Sequence, residues 1–234
     1  MSIDFSSSIN GIRSAIHTNS VRANNVANVN SKGFKSSRSV QSDSAGSGPR
    51  VSAVSLDISQ GPIRLTQNPT DIALEGKGFF QVETPNGDKR YTRSLKIQQS
   101  PDGKLLDQHG NQLSGVTQNR EGLKGLEVSQ DGSIFFQDPD GTTVKVGQLM
   151  VVDFNNPQGL EHENNGYFKP TVASGQAMAS SQGMKVIQGA EEMSNVDLAK
   201  QMTGQMIDEK TVAANADVIR TQDDMLGEII DLKG

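Results

Sequence analysis

The stretch FSSSINGIRSAIHTNSVRANNV, residues 5–26, sets Phe5, Ile9, Ile12, Ile16, Asn19, Ala23 and Val26 alternately four and three residues apart. That spacing is the 3.5-residue repeat with which one helix lays a narrow apolar stripe against another. Ser6-Ser7-Ser8 offers capping hydroxyls at its start. The stripe is short, thin in large side chains and broken by Asn19. A helix of this length is marginal alone, so its stability has to come from packing. It runs into the asparagine-rich segment Asn24 to Ser31 and stops at Gly33.

A partner stripe lies at the far end of the chain. Leu198, Met202, Gln205, Glu209, Val212, Ala216, Ile219, Asp223, Leu226 and Ile230 keep the same alternation, with Gln205, Glu209 and Asp223 as its polar members. Ser194 or Asn195 is expected to cap this second helix, with Asp197 adding negative charge to its first turn. Gly204 inside it costs about 1 kcal/mol against alanine. It either admits a close neighbour or is a tolerated flaw. The two terminal segments, residues 1–35 and 190–234, are expected to pair as a coiled-coil-like inner domain.

The middle reads as β structure, making the fold α+β. Residues 36–66 are expected to form a linker and an extended or β segment, because Ser42 to Pro49 has the composition of a flexible loop, Arg50 to Ile58 alternates as a strand, and Ile63-Arg64-Leu65 resumes it after Gly61-Pro62. From 67 to 168, short strand-like runs are separated by turns. Asn86-Gly87 stands between Gly78–Val82 and Arg90–Arg93, a hairpin signal because both turn residues can adopt positive φ. Asp102-Gly103, His109-Gly110-Asn111, Asp131-Gly132 and Asp138-Pro139-Asp140-Gly141 repeat the device. Many short strands with frequent turns imply a compact antiparallel domain of barrel or sandwich type. Residues 169–189, weakly patterned, are expected to return as extended chain.

Composition narrows the function. The 234 residues are 33% hydrophobic and 4% aromatic, with no tryptophan. The usual hydrophobic share is about 45–50% (a benchmark that also counts glycine), so the core is lean and neighbouring molecules are expected to complete it. The net charge of −5 and the scattered Lys and Arg argue against a nucleic-acid surface. Without cysteine there is no disulfide, thiolate chemistry or cysteine metal site. The first residues lack the basic and apolar regions of a secretory signal. No run reaches the roughly 18 apolar residues of a spanning helix. A soluble chain, or one exported without a cleaved signal, is therefore expected, with no membrane insertion.

No catalytic set emerges. His17, His109 and His162 are isolated and match no metal-ligand spacing. Gly76-Lys77-Gly78 lacks the third glycine and the following helix of a phosphate loop, and fits a tight bend instead. The adjacent pairs Glu191-Glu192 and Asp223-Asp224 cannot face one another on a helix and read as solvated faces. No cofactor is expected. The positive feature is architectural. Polar residues at seam positions lower stability but fix register, which suits termini that settle only beside copies of themselves. A repeated contact that does not close generates a helical polymer.

Several longer motifs carry a resemblance. Asn24-Asn25-Val26-Ala27-Asn28-Val29-Asn30-Ser31-Lys32-Gly33-Phe34-Lys35 resembles the N-N-I-A-N-x-N-T-x-G-F-K element of the bacterial flagellar rod and hook family. The resemblance continues in order through Asn68 to Val82, which contains Gly76, Gly78, Phe79 and Phe80, then Tyr91-Thr92-Arg93 and Asp102 to Leu105. It ends with Phe154 to Leu160 and Gln188-Gly189-Ala190-Glu191 followed by Ser194-Asn195-Val196. Such resemblance implies a non-enzymatic axial subunit whose paired termini line a helical tube with the β domain outside. It implies copies of itself, other rod and hook proteins and the flagellar export apparatus as partners. It places the chain in the periplasm-spanning rod. One modest β region favours a rod subunit, while Ser194-Asn195-Val196-Asp197-Leu198 and the short stretch from Lys35 to Gly78 leave a minimal extracellular hook-type protein as the alternative. Where the family often has Q-R-x-Y/F, this chain has Glu209-Lys210-Thr211-Val212, without the aromatic. A soluble β module gripping a ligand or a cell-wall glycan is the remaining reading from the turn-rich middle.

Overall fold

The computed structural model describes residues 5–44, 48–116, 124–137, 141–180 and 183–231. They fall into two compact units. One is built from Met1–Val29, Ser36–Asp57 and Val196–Gly234, the other from Asn30–Lys35 and Ile58–Asn195.

The first unit holds two helices and a hairpin. Helix α1 spans Ser6–Ala27 and helix α2 spans Leu198–Asp231. Strands β1 (Ser37–Ser44) and β2 (Gly48–Leu56) pair antiparallel, with a register shift between Val40 and Gln41. The supposed linker is thus largely a hairpin; its residues 45–47 lie outside the described residues. Serine-rich composition suggested loose chain, but α1 supplies what the hairpin lacks. The Asn25 amide donates to Ser37 O at 2.7 Å and accepts from Ser37 N at 2.8 Å. Thr18 and Ser39 hydroxyls lie 2.8 Å apart.

The helices run antiparallel, since Arg22 meets Asp208 and Asn25 meets Gln201. Their shared side differs from the expected seam. Helix α1 buries Ser8, Gly11, Ser14, Ala15, Thr18 and Asn25; of these Gly11 lies against Asn215 of α2 and Asn25 reaches Gln201, while Thr18 and Asn25 also bond the hairpin. Small side chains let the backbones approach, and the polar groups pair across the gap. Ile9 and Ile16 stay 40% and 57% exposed, Ala23 is exposed, and Phe5, Ile12, Asn19 and Val26 are half-covered. On α2, Gly204 and Asp208 are buried and Val212, Ala216, Ile219 and Leu226 half-buried, whereas Leu198, Met202 and Ile230 are exposed. The contact between the helices therefore includes small and polar residues, Gly11, Gly204, Arg22 with Asp208 and Asn25 with Gln201.

The caps differ too. No side-chain hydrogen bond caps α1, whose boundary residue is Phe5. Asp197, rather than Ser194 or Asn195, caps α2 by accepting from Lys200 N at 3.1 Å. Gly204 has a neighbour: a Cβ there would collide with the Arg22 guanidinium.

The second unit is all β apart from two single-turn 3-10 helices. Strands β3 (Ile63–Leu65), β4 (Asp71–Gly76), β5 (Phe79–Glu83), β6 (Lys89–Thr92) and β7 (Ser94–Lys96) begin it. Every described pairing is antiparallel. The largest sheet centres on β5, flanked by β6 and by Val151–Asp153, with β4 in a separate sheet between β7 and Met184–Gln188. These are open sheets, not a closed barrel. The β5–β6 hairpin turns through Asn86-Gly87, with Gly87 at φ +87°. Of the turn expected at 138–141, residues 138–140 lie outside the described residues. Ile72, Leu74, Phe80, Val82, Leu105 and Ile134 are among the buried side chains that join the sheets.

Two boundaries differ from expectation. The return segment contributes strands at Met178–Ala179 and Met184–Gln188. Ala190–Glu192, assigned from sequence to the last helix, is instead a strand paired with β3.

Candidate functional site

Glu191 and Glu192 are not solvated: they are 2% and 0% exposed. Neighbouring side chains in a strand point to opposite faces, so each glutamate finds its own partners. Glu192 Oε1 accepts from Lys35 Nζ at 2.5 Å and from Gly61 N at 2.9 Å, and its Oε2 accepts from Arg93 Nε at 2.9 Å. Lys35, itself fully buried, also donates to Ser59 O at 2.7 Å. Arg93 donates to Gly78 O and, at 2.8 Å, to Gly76 O, with its guanidinium 5.7 Å from the Phe79 ring centre. Glu191 pairs with Lys32 and Arg64 on the other side. Burial alone pushes the Glu191 carboxyl up, but the Lys32 and Arg64 cations outweigh it and hold the group below the ordinary range.

The glycines explain how a guanidinium gets so close to backbone. Gly76 at φ +99° and Gly78 at φ +112° make the bend between β4 and β5 that aims both carbonyls at Arg93. A Cβ on Gly76 would strike Gly183 O. The Gly33–Lys35 segment closes the opposite side. Gly33 N donates to Glu192 O at 2.7 Å, and the Phe34 ring stacks on His162 at 4.7 Å and 7°. His162 Nε2 lies 2.7 Å from Lys35 O. Burial pulls the His162 pKa down, against a smaller upward push from that bond. The imidazole is therefore neutral at pH 7 and donates through Nε2. Asn195 donates to Ser59 O at 3.0 Å.

Most motif residues of this unit thus meet at one buried junction: Gly33, Phe34, Gly76, Gly78, Phe79 and Asn195. Asn30 is exposed nearby in sequence, Phe80 turns into the sheet core, and Ser194 is buried. Asn25 belongs to the first unit as the hairpin clasp. Asn28 bonds Asn24 O at 2.9 Å and closes the end of α1, and Val196 leads into α2. The partners that sequence reasoning missed are Lys35, Arg93, Glu191, Glu192 and His162. A signal existed, since Lys35 ends one motif, Arg93 another, and Glu191 a third.

With acids and bases neutralised in place, the junction offers no proton to a substrate. Among the described residues no group of three His, Asp or Glu could hold a metal. The second candidate surface is the outer side of the helices, where Ile9, Ile16, Met202, Met206, Ile207 and Val218 are each at least 40% exposed. A helix pair with outward apolar side chains, joined to a β unit locked by buried ion pairs, defines a structural assembly protein.

Comparison with known proteins specifies which kind. Residues 73–136 match the family described as flagellar hook protein FlgE/F/G D1 domain, and residues 187–232 match the flagellar basal body rod FlgEFG protein C-terminal family. The flagellar basal-body rod protein FlgG of Buchnera aphidicola subsp. Baizongia pistaciae is 31% identical over 237 residues, covering 89% of this chain and 91% of its own. That of Borreliella burgdorferi is 30% identical over 90% of this chain and 91% of its own; that of Bacillus subtilis is 29% identical over 97% of each. The chain belongs to the flagellar basal-body rod protein family, a structural family without enzymatic activity.

Proposed function

We propose that the chain is a subunit of the flagellar rod that polymerises with copies of itself and with other axial proteins through the outer faces of α1 and α2. One observation carries this reading. The helices touch through Gly11, Gly204, the Arg22–Asp208 pair and the Asn25–Gln201 bond, while Ile9, Ile16, Met202, Met206 and Ile207 stay exposed. Fully burying an Ile or Met side chain is worth about 1.5–3 kcal/mol, so several such residues per subunit reward a polymer strongly. A rod subunit works in the periplasm-spanning part of the axis and reaches it through the flagellar export apparatus; the names of the relatives support that assignment.

The test is an Ile9→Asp/Ile16→Asp variant of the full chain. Its far-ultraviolet circular dichroism and unfolding midpoint should stay close to wild type, because both positions are exposed. Its recovery in isolated basal bodies and the swimming of cells depending on it should be lost. Normal incorporation would refute the reading.

A further inference from the structure

We infer that neighbouring copies interlock through charge, the acidic end of α2 on one copy seating in a basic groove between α1 and β2 on the next. This rests on the rod reading above and names the contact it uses. The groove belongs to the first unit and is lined by Arg13, His17 and Arg50 together with Asn10 and Ser14. Arg13 and His17 stand four residues apart on one side of α1, and Arg50 faces them from β2. None of the three makes an ion pair among the described residues. Helix α1 contains no Asp or Glu to offset them. The Ser14 hydroxyl is buried at the same place with no hydrogen-bond partner, although the residue is only 5% exposed. A concave surface with unpaired cations and an orphaned hydroxyl is built for an anionic group.

The chain carries a complementary element. Thr221 to Asp231 contains Asp223, Asp224, Glu228 and Asp231, with no Lys or Arg. All four acids are exposed. They lie at the C-terminal end of a helix, where the macrodipole already presents negative charge, so their placement works against α2 itself. Among the described residues none of the four makes an ion pair, and Arg220, one turn before them, pairs with Asp217. Asn25 faces Gln201 and Arg22 faces Asp208, so Arg13 stands level with α2 near Ala214. The acidic end is centred about thirteen residues beyond, or about 20 Å at 1.5 Å per residue. Groove and acids of one copy therefore cannot meet, but those of two copies displaced by about 20 Å along the helices do. The contact is head-to-tail and repeats without closing, which is the geometry of a helical polymer.

Charge exchange tests it in the full chain. Arg13→Glu/Arg50→Glu should lower recovery in isolated basal bodies on the order of tenfold, as should Asp223→Lys/Asp224→Lys, while the four changes together restore it. The chain has no cysteine, so Arg50→Cys with Asp224→Cys gives a direct second readout. Oxidised basal bodies carrying that variant should show a ladder of cross-linked copies, absent from either single variant. Basal bodies that contain the doubly substituted chain but give no ladder overturn the interlock and leave the rod assignment standing. Failure of the exchanged pair to restore recovery likewise overturns it, and gives the groove to another anion. Absence of the wild-type chain from basal bodies overturns the rod assignment first.

Discussion

At the residue scale the molecule turns on Glu192, a carboxylate with no exposure held by Lys35, Arg93 and Gly61 N. Removing one member of such a set leaves the others buried without a counter-charge, which costs about 3–5 kcal/mol. Glu192→Gln should therefore lower the urea unfolding midpoint of the β unit severely, with Lys35→Met close behind; both are measured by equilibrium denaturation. His162 adds a pH dependence. Its folded pKa lies below its ordinary value of about 6.5, so the unfolded chain binds the extra proton first. Its contribution is whole above about 6.5 and is lost as the pH falls through the lower folded pKa. The unfolding midpoint should drop as buffers move from pH 7 toward 5, and His162→Gln should flatten that step. Glu191, also depressed, acts only below the ordinary carboxylate range, so the two windows separate. Lys35, Arg93 and Glu191 were quoted in the sequence motifs, but Glu192 and His162 were not, and their meeting was not legible. A helical period applied to Glu191-Glu192 sends both to solvent, while the strand they occupy sends them inward on opposite sides.

At the element scale, the elements with local signals were the legible ones. Helix α1, the Asn86-Gly87 hairpin and the Gly76/Gly78 bend follow from spacing and from glycine's tolerance of positive φ. Strand β2 was legible in the alternation of Arg50 to Ile58, but its partner β1 was not, because that serine-rich strand carries no periodic apolar signal and depends on a clasp twelve residues upstream. That clasp is Asn25, which satisfies both the N–H and the C=O of Ser37. Asn25→Ala leaves both backbone groups without partners at a buried site, each worth about 1–3 kcal/mol. The variant should lose about 2 kcal/mol or more in urea titration, and cleavage between residues 37 and 56 should dominate its limited proteolysis. Gly204→Ala should be nearly silent by comparison. The gain of about 1 kcal/mol in helix propensity is offset by displacing Arg22 from Asp208, a half-exposed pair worth no more than about 1 kcal/mol. What changes is the bridge, and a titration of stability against salt should flatten in that variant.

At the scale of the whole molecule, the seam that opened the reading is half right about composition and different in use. Its spacing does form a helix, yet the residues that α1 buries within the subunit are small and polar ones, while Ile9 and Ile16 stay exposed. Sequence periodicity cannot distinguish a stripe covered by its own chain from one reserved for a copy, since both are apolar at the same interval. The division of the chain is likewise shifted: Asn30–Lys35 belongs with the β unit, not with α1. This makes a sharp prediction for truncation. A chain beginning at Asn30 and ending at Asn195 retains Lys32, Phe34 and Lys35 and should fold cooperatively with near-native β circular dichroism. A chain beginning at Ser36 deprives Glu192 of Lys35 and bares the His162 ring, so its midpoint should fall by the several kcal/mol expected for a broken buried pair. Equal stability of the two fragments would show that the segment leading out of α1 is only a tether. Loss confined to the shorter fragment would show that the β unit is completed by residues that the helical repeat had seemed to claim.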